Sequence, residues 1–295
     1  ILVQEKEMCM KKGEIYEGRV QEVLFPDKAI VVTDEGETAQ VKYGIPGQKL
    51  RFRVKKKRKE KIEGILLEIL EKSADETACL CEWAGKCGGC LYQALPYEKQ
   101  LAIKEAQIKK MLDNGGTDYT FEGIVSSPVV SGYRNKVELT FGDSYMGGPL
   151  ALGMHQRGSF YDIAGIETCQ IMTPDMRMAA MAVLDHFSKL NIPFYHRMRH
   201  EGVLRHLLLR SSAATGELLV AVVASSQADA STMQLAELTE KLENISISNL
   251  NSNDNNQAKL KIKRYKNLAK KCKKSFNEKF YNPKRKCLYD VLGDN

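Results

Sequence analysis

Residues 13–71 are written in short alternations of apolar and polar residues rather than in helical periods. Segment 14–24 alternates along its length, and segments 28–33, 37–42, 49–55 and 61–69 follow it. They are separated by Pro26-Asp27, by Asp34-Glu35-Gly36, by Ile45-Pro46-Gly47 and by a charged hairpin. Five short strands with turn residues between them, and no helix-length period to interrupt, predict a small closed barrel of the OB type.

The pattern then changes. Segment 79–93 is a cysteine-bearing loop, and 96–113 reads as an amphipathic helix with Tyr97, Leu101, Ile108 and Leu112 on one stripe. Pro96 suits its start and Asn114-Gly115-Gly116 its stop. Strands are predicted at 135–141, 150–155 and 159–163, and a helix at 174–190 whose Met178 and Met181 are expected as core filler. Strands at 203–211 and 217–224 and a helix from about 232 to 243 complete a mixed unit. The fold class is α+β. The domains expected are a barrel at 10–71, the cysteine loop at 72–95, a central α+β domain at 96–243 and a low-complexity tail at 244–295. The tail has six Asn in residues 244–257, then a Lys-rich run without period. It reads as disordered or translated out of frame, because it lacks the apolar surface that offsets ordering entropy.

Charge redistributes this picture. The net charge is +7, but residues 257–295 hold 13 Lys and Arg against 3 Asp and Glu, a net of +10. The rest keeps 31 basic and 34 acidic residues, net −3. A nucleic-acid argument must therefore rest on local patches. The fourth strand and its loop supply one: Lys49, Arg51, Arg53, Lys55, Lys56, Lys57, Arg58, Lys59 and Lys61, opposed only by Glu60. A barrel with a basic edge suits a phosphate backbone, and a solvated hairpin tip is the competing explanation. No apolar run approaches membrane-spanning length and no secretory signal pattern opens the chain, so a cytoplasmic protein without a membrane partner is expected.

Four of the eight cysteines fall within twelve residues. Cys81-Glu-Trp-Ala-Gly-Lys-Cys87-Gly-Gly-Cys90 is C-x5-C-x2-C. Gly88 and Gly89 allow a tight backbone around an anionic group. Cys169, after a predicted strand, is the natural fourth ligand. Four thiolates suit zinc or an iron–sulfur cluster, and the long, uneven spacing is less like structural zinc. Cys79 is a competing ligand or a plain thiol.

Cys81, Cys87-Gly88-Gly89-Cys90, Gln93, Tyr97 and Lys99-Gln100 resemble the iron–sulfur loop of the RNA uracil-C5 methyltransferases. The branch most resembled is the bacterial 23S ribosomal RNA type with an N-terminal TRAM domain. Tyr133-Arg134-Asn135-Lys136, Gln156-Arg157-Gly158-Ser159 leading to Cys169, and Leu204-Arg205-His206 with Arg210 extend the resemblance over roughly residues 11–243. It implies a structural 4Fe–4S cluster on Cys81, Cys87, Cys90 and Cys169, S-adenosylmethionine as methyl donor, and ribosomal or other structured RNA as partner. It also implies a Rossmann-like catalytic domain, in which a Cys adds to uracil C6 and a Glu removes the C5 proton. The motifs of that domain are not found after residue 243. Cys272 and Cys287, each among lysines, lack a following Asn-Pro, so no catalytic residue is assigned and the chain alone is expected to be inactive. The residues expected at RNA are Arg51, Arg53, Lys55, Lys56, Lys57, Arg58, Arg134, Asn135, Lys136 and Arg157. Arg205 and Arg210 are weaker candidates, and His206 is expected to be a packed histidine. A monomer is expected. The alternative is a stand-alone RNA-binding module with structural zinc; an electron-transfer protein is a third, disfavoured by the spacing.

Overall fold

A computed structural model describes residues 10–248 apart from 59, 60, 117 and 230, together with the pieces Tyr281–Asn282 and Cys287–Leu288. It divides at residue 233 into two compact units.

In the first unit, β1 (Ile15–Leu24), β2 (Lys28–Val32), β3 (Thr38–Lys42), β4 (Lys49–Arg58) and β5 (Lys61–Glu71) close into a barrel of order β1-β2-β3-β5-β4. All pairs are antiparallel except β3 with β5, where Val41 faces Gly64. The expected barrel is therefore present, with β4 running three residues further than its alternation indicated. The alternation sets the faces, because successive side chains point to opposite sides of a strand. Leu50, Phe52 and Val54 of β4 are buried, with Val20, Val31, Val41 and Ile62 of the other strands. Closure depends on Gly64: a Cβ there would meet Phe52 Cδ2 at 2.6 Å and Val41 Cγ2 at 3.0 Å.

α1 (Tyr97–Asp113) packs against the barrel differently from its predicted stripe. Ile108 and Leu112 are more than a third exposed, and the buried residue is Gln107. Its Nε2 donates to Val23 O at 3.1 Å and to Tyr92 Oη at 3.3 Å. A polar hook between α1 and β1 thus joins the apolar contact that Ile103 makes with the barrel core.

The second sheet has the order β10-β9-β6-β7-β8, from β6 (Lys136–Asp143), β7 (Leu150–His155), β8 (Ile163–Gly165), β9 (Leu204–Ser211) and β10 (Leu218–Ala224). Every neighbouring pair is antiparallel. The strand expected at 159–163 begins only at Ile163. Ser159 Oγ accepts from the backbone N–H of Tyr161 and Asp162, a local turn that competes with strand pairing. α2 (Pro174–Lys189) is capped by Thr173 Oγ1, which accepts from Met176 N at 3.3 Å. It covers one face of this sheet through Met176, Ala179, Ala180, Val183 and Phe187, with Phe141 and Phe187 edge to face at 6.0 Å. The core methionine is Met176; Met178 and Met181, expected inside, are more than a third exposed.

The second unit holds α3 (Leu235–Ser248), with Lys241 paired to Glu237 at 2.9 Å, and the strand pair β11 (Tyr281–Asn282) and β12 (Cys287–Leu288). The rest of the tail expected at 244–295 lies outside the described residues.

Candidate metal centre and nucleic-acid interface

The loop between β5 and α1 runs from the barrel to the second sheet. Its far end is tied to the barrel: Tyr92 and Leu95 are buried with the barrel core, and Thr77 N donates to Ala94 O at 2.7 Å. Its middle is tied to the sheet: Gly88 N donates to His155 O at 3.0 Å, and Cys87 forms a backbone bridge with Gln156. Cys169 arrives from the other direction, in the turn between β8 and α2, with its N–H on Ile166 O at 3.0 Å. These attachments bring Cys81, Cys87, Cys90 and Cys169 to one pocket, also lined by Trp83, Gln93 and Met154, with about 420 Å³ of space out to its open mouth. Cys79 is not part of its lining.

The thiols act on one another. Burial pushes the Cys90 thiol from its ordinary 9.0 to about 11, helped by Cys169, Cys87 and Cys81 and opposed by Arg134. Cys87 is raised by burial too, against the lowering effect of the Gly89 N–H, which donates to its Sγ at 3.3 Å. A Cβ at Gly89 would meet Met154 Sδ at 2.6 Å, so the loop needs glycine to lie this close. Among the described residues, no group of three or more His, Cys, Asp or Glu side chains is spaced to hold a single metal ion.

Two guanidinium groups support the cysteine backbone. Arg157 Nε donates to Cys87 O at 3.1 Å and its Nη2 donates to Cys90 O, while the group lies 4.5 Å from the ring centroid of Tyr43 in the barrel. Arg177, in the first turn of α2, donates from Nη1 to Cys169 O at 2.8 Å. Arg157, expected at RNA, has its fork on two carbonyls and one face on Tyr43, contacts that brace the cysteine loop. Tyr43 and Arg177 carried no motif in the sequence. The only hint of Arg177 is its position one helical turn into the element that follows Cys169.

The other basic residues fall into two classes. Arg51 is neutralised by Glu17 and Glu68, at 2.8 Å and 2.6 Å. Lys57 Nζ donates to Met10 O at 3.1 Å. Arg53, Lys55 and Arg58 are exposed on β4, and neither they nor Lys56 has a carboxylate partner among the described residues. Arg134 and Asn135 are exposed beside the pocket, where Arg134 N donates to Ile171 O at 3.1 Å. Lys136 begins β6, with Glu138 at 3.9 Å. His206 is half-buried, its Nδ1 3.4 Å from Thr140 Oγ1.

No protein-family model matches the chain. Relatives do. A protein of Clostridium tetani called an uncharacterized RNA methyltransferase is 40% identical over 239 residues, covering 81% of this chain and 52% of that protein. This chain is a relative of RNA methyltransferases. A second such relative, from Caldanaerobacter subterraneus, is 41% identical over 219 residues, 74% of this chain and 48% of its own length. The chain thus spans about half the length of the curated relatives it matches. Its fold is shared with Pyrococcus abyssi tRNA (uracil-54, C5)-methyltransferase, solved in complex with S-adenosyl-L-homocysteine. The TM-score is 0.53 at 21% identity, over 77% of this chain and 48% of that one. Among the described residues, no helix is long and apolar enough to cross a membrane.

Proposed function

We propose that this chain is the RNA-binding and cluster-bearing part of an S-adenosylmethionine-dependent RNA uracil-C5 methyltransferase, acting on ribosomal or other structured RNA. The observation that carries the reading is the convergence of Cys81, Cys87, Cys90 and Cys169 on one pocket, in a chain related to RNA methyltransferases. The donor set fits a 4Fe–4S cluster. A single zinc with four thiolates at about 2.3 Å would draw the sulfurs to roughly 3.8 Å of one another. Four thiols lining one pocket are the donor set that such a cluster takes at its corners. When bound, the cluster supplies a cross-link between the 81–90 loop and Cys169, not a reacting group.

The chain's own residues hold RNA. The five-stranded barrel is of the OB type and serves as a TRAM domain, offering Arg53, Lys55, Lys56, Lys57 and Arg58 along β4. Arg134, Asn135 and Lys136 offer a second contact beside the pocket. Each cation that meets a phosphate releases counterions, so affinity falls with salt. Methyl transfer to uracil C5, the reaction in the name of the Pyrococcus abyssi neighbour, belongs in this reading to the whole protein, and none of the described residues is assigned to the methyl donor or to the nucleophile.

Anaerobic purification followed by iron, sulfide and zinc analysis tests the reading. Iron and sulfide in equal amounts are expected, with both lost in Cys87→Ser and Cys169→Ser. Zinc without iron supports the alternative of a zinc-bearing RNA-binding module and removes the cluster.

A further inference from the structure

α2 covers only one face of the second sheet. Val137, Leu139, Phe141, Leu207 and Leu209 point toward that helix and are buried. The register therefore places Lys136, Glu138 and Thr140 of β6 and His206, Leu208 and Arg210 of β9 on the opposite face. Lys136 pairs with Arg210 at one end, and Thr140 pairs with His206 four residues further on, about 13 Å away at ~3.3 Å per residue. Thr140 is also paired with Gly153 on β7, and His155 lies two residues beyond on the same face.

The far end of this face is cationic. The segment after α2 folds back on β9, with Tyr195 N donating to Leu204 O at 2.7 Å and His196 N to Glu201 O at 2.7 Å. It brings exposed Arg197 within electrostatic reach of both His155 and His206. Arg205, at the bulge of β9, lies over the Tyr195 ring at 4.9 Å. None of Arg197, Arg205 and Arg210 has a carboxylate partner among the described residues, and Glu138 is the acid on this face, shared with Lys136. His155 Nδ1 is buried without a hydrogen-bond partner. The same register adds Leu208 and, from β10, Leu219, Ala221 and Val223, so the face is apolar in its middle. Lys136, Arg210 and the neighbouring Arg197, with two imidazoles and one carboxylate, make its margin complementary to a polyanion.

We infer that this open sheet face is a further RNA-backbone site, continuing from the Arg134–Lys136 contact, in which Arg197 and His206 hold one phosphate and Lys136 and Arg210 another further along the strand. The inference rests on the RNA-binding reading above and names where, away from the barrel edge, the RNA strand runs. Neutral His206 donates one N–H to a phosphate oxygen, and the charged imidazole binds it better. Burial lowers the His206 pKa in the free protein, with Arg197, Arg205 and His155 lowering it further and Glu138 opposing. Thr140 and, across the pair with β10, Val223 complete its surroundings. A phosphate adds negative charge beside this imidazole beyond that of Glu138, so binding takes up a proton and tightens as pH falls.

The test uses the full chain and a fluorescein-labelled oligouridylate, with affinity measured at pH 8 and pH 6 across a salt series. All five histidines lie between residues 155 and 206, so the basic tail holds none. Wild-type affinity is expected to rise severalfold on acidification, at most about tenfold per pH unit for one proton. His206→Gln, which keeps a donor to Thr140, should lose most of that rise. Arg197→Gln, on an exposed loop, should weaken binding at both pH values and flatten the salt dependence by about 0.7 of a log unit per log unit. A rise of the same size in His206→Gln, or unchanged binding in Arg197→Gln, overturns the inference and leaves the face to a polypeptide. No binding of the oligouridylate by the wild type at either pH removes the RNA reading itself.

Discussion

Replacing Arg157 by Ala removes three interactions at once. The guanidinium donates to Cys87 O and Cys90 O and stacks on Tyr43, in a half-buried setting where water replaces little of what is lost. Each hydrogen bond from a charged donor contributes about 1.5–3 kcal/mol. The stack adds about 0.5–1 kcal/mol. Allowing for partial hydration of the freed carbonyls, the loss should be about 3 kcal/mol. Domains are stable by about 5–15 kcal/mol, so the variant should still fold. Trp83, the chain's single tryptophan, lines the same pocket and reports its unfolding directly. With a urea dependence of about 2 kcal/mol per M, the fluorescence midpoint should fall by about 1–2 M. Arg157→Lys should recover only part, since one ammonium cannot present a planar fork to two carbonyls and a face to Tyr43. Tyr43→Leu should cost about 0.5–1 kcal/mol and be coupled to Arg157 in a double-mutant cycle. A midpoint within a few tenths of a molar of wild type, or full recovery by Lys, would show that Arg157 does not brace the cysteine loop.

Other outcomes are open to measurement. Gly89→Ala forces Met154 Sδ away from a Cβ at 2.6 Å and should lower iron content, and Gly89→Ala/Met154→Ala should restore part of it. On the barrel, Lys55→Glu/Lys56→Glu should weaken RNA binding about tenfold or more, whereas Arg51→Gln, already paired to two carboxylates, should change it less than twofold; equal effects would contradict this division of the edge. In the free protein the lowered His206 pKa means that the unfolded chain takes up a proton first as pH falls below 6.5, so stability should decline there. The difference between wild type and His206→Gln in urea midpoint at pH 5.5 and pH 7.5 isolates that contribution, and a pH-independent difference would refute it.

Much of the barrel was readable because one rule, alternation, sets both its strands and the faces they present. Leu50, Phe52 and Val54 alternate with Arg51, Arg53 and Lys55, and the structure buries the first set, exposes Arg53 and Lys55 and leaves Arg51 partly exposed. The convergence of the cysteines on one pocket was readable for a different reason: thiols clustered around two glycines are rare enough to be informative alone. What the pattern could not convey was pairing at long range. Nothing near Arg51 announces Glu17 and Glu68, and nothing near Arg157 announces Tyr43 or the carbonyls of Cys87 and Cys90. Two residues of equal charge and similar exposure in a linear reading are thus separated by their partners into a neutralised strut and a brace. The same limit hid Arg197, which stands in a segment without periodicity and matters only because that segment folds back on β9.

The placement of Arg157 also bears on how the parts act together. It reaches the barrel through Tyr43 and the cysteine loop through two carbonyls, and its own N–H donates to Lys86 O at 2.7 Å. Gln156, the residue before it, donates from Nε2 to the carbonyls of Ser144 and Ile163, which belong to the second sheet and its hairpin. Barrel, cysteine loop and sheet therefore meet within two consecutive residues. A change in ligation at Cys87 or Cys90 shifts the carbonyls that Arg157 holds, and Arg157 is in turn stacked on the ring that follows β3. On the proposed reading, the cluster's contribution to RNA binding then lies in fixing the angle between the barrel's basic edge and the sheet's open face. Two phosphate-binding surfaces engage one RNA with high effective concentration only when their geometry is fixed. Loss of the cluster should therefore weaken RNA binding more than loss of either surface's charge predicts, and it should do so with little change in salt slope, because no phosphate contact is removed outright.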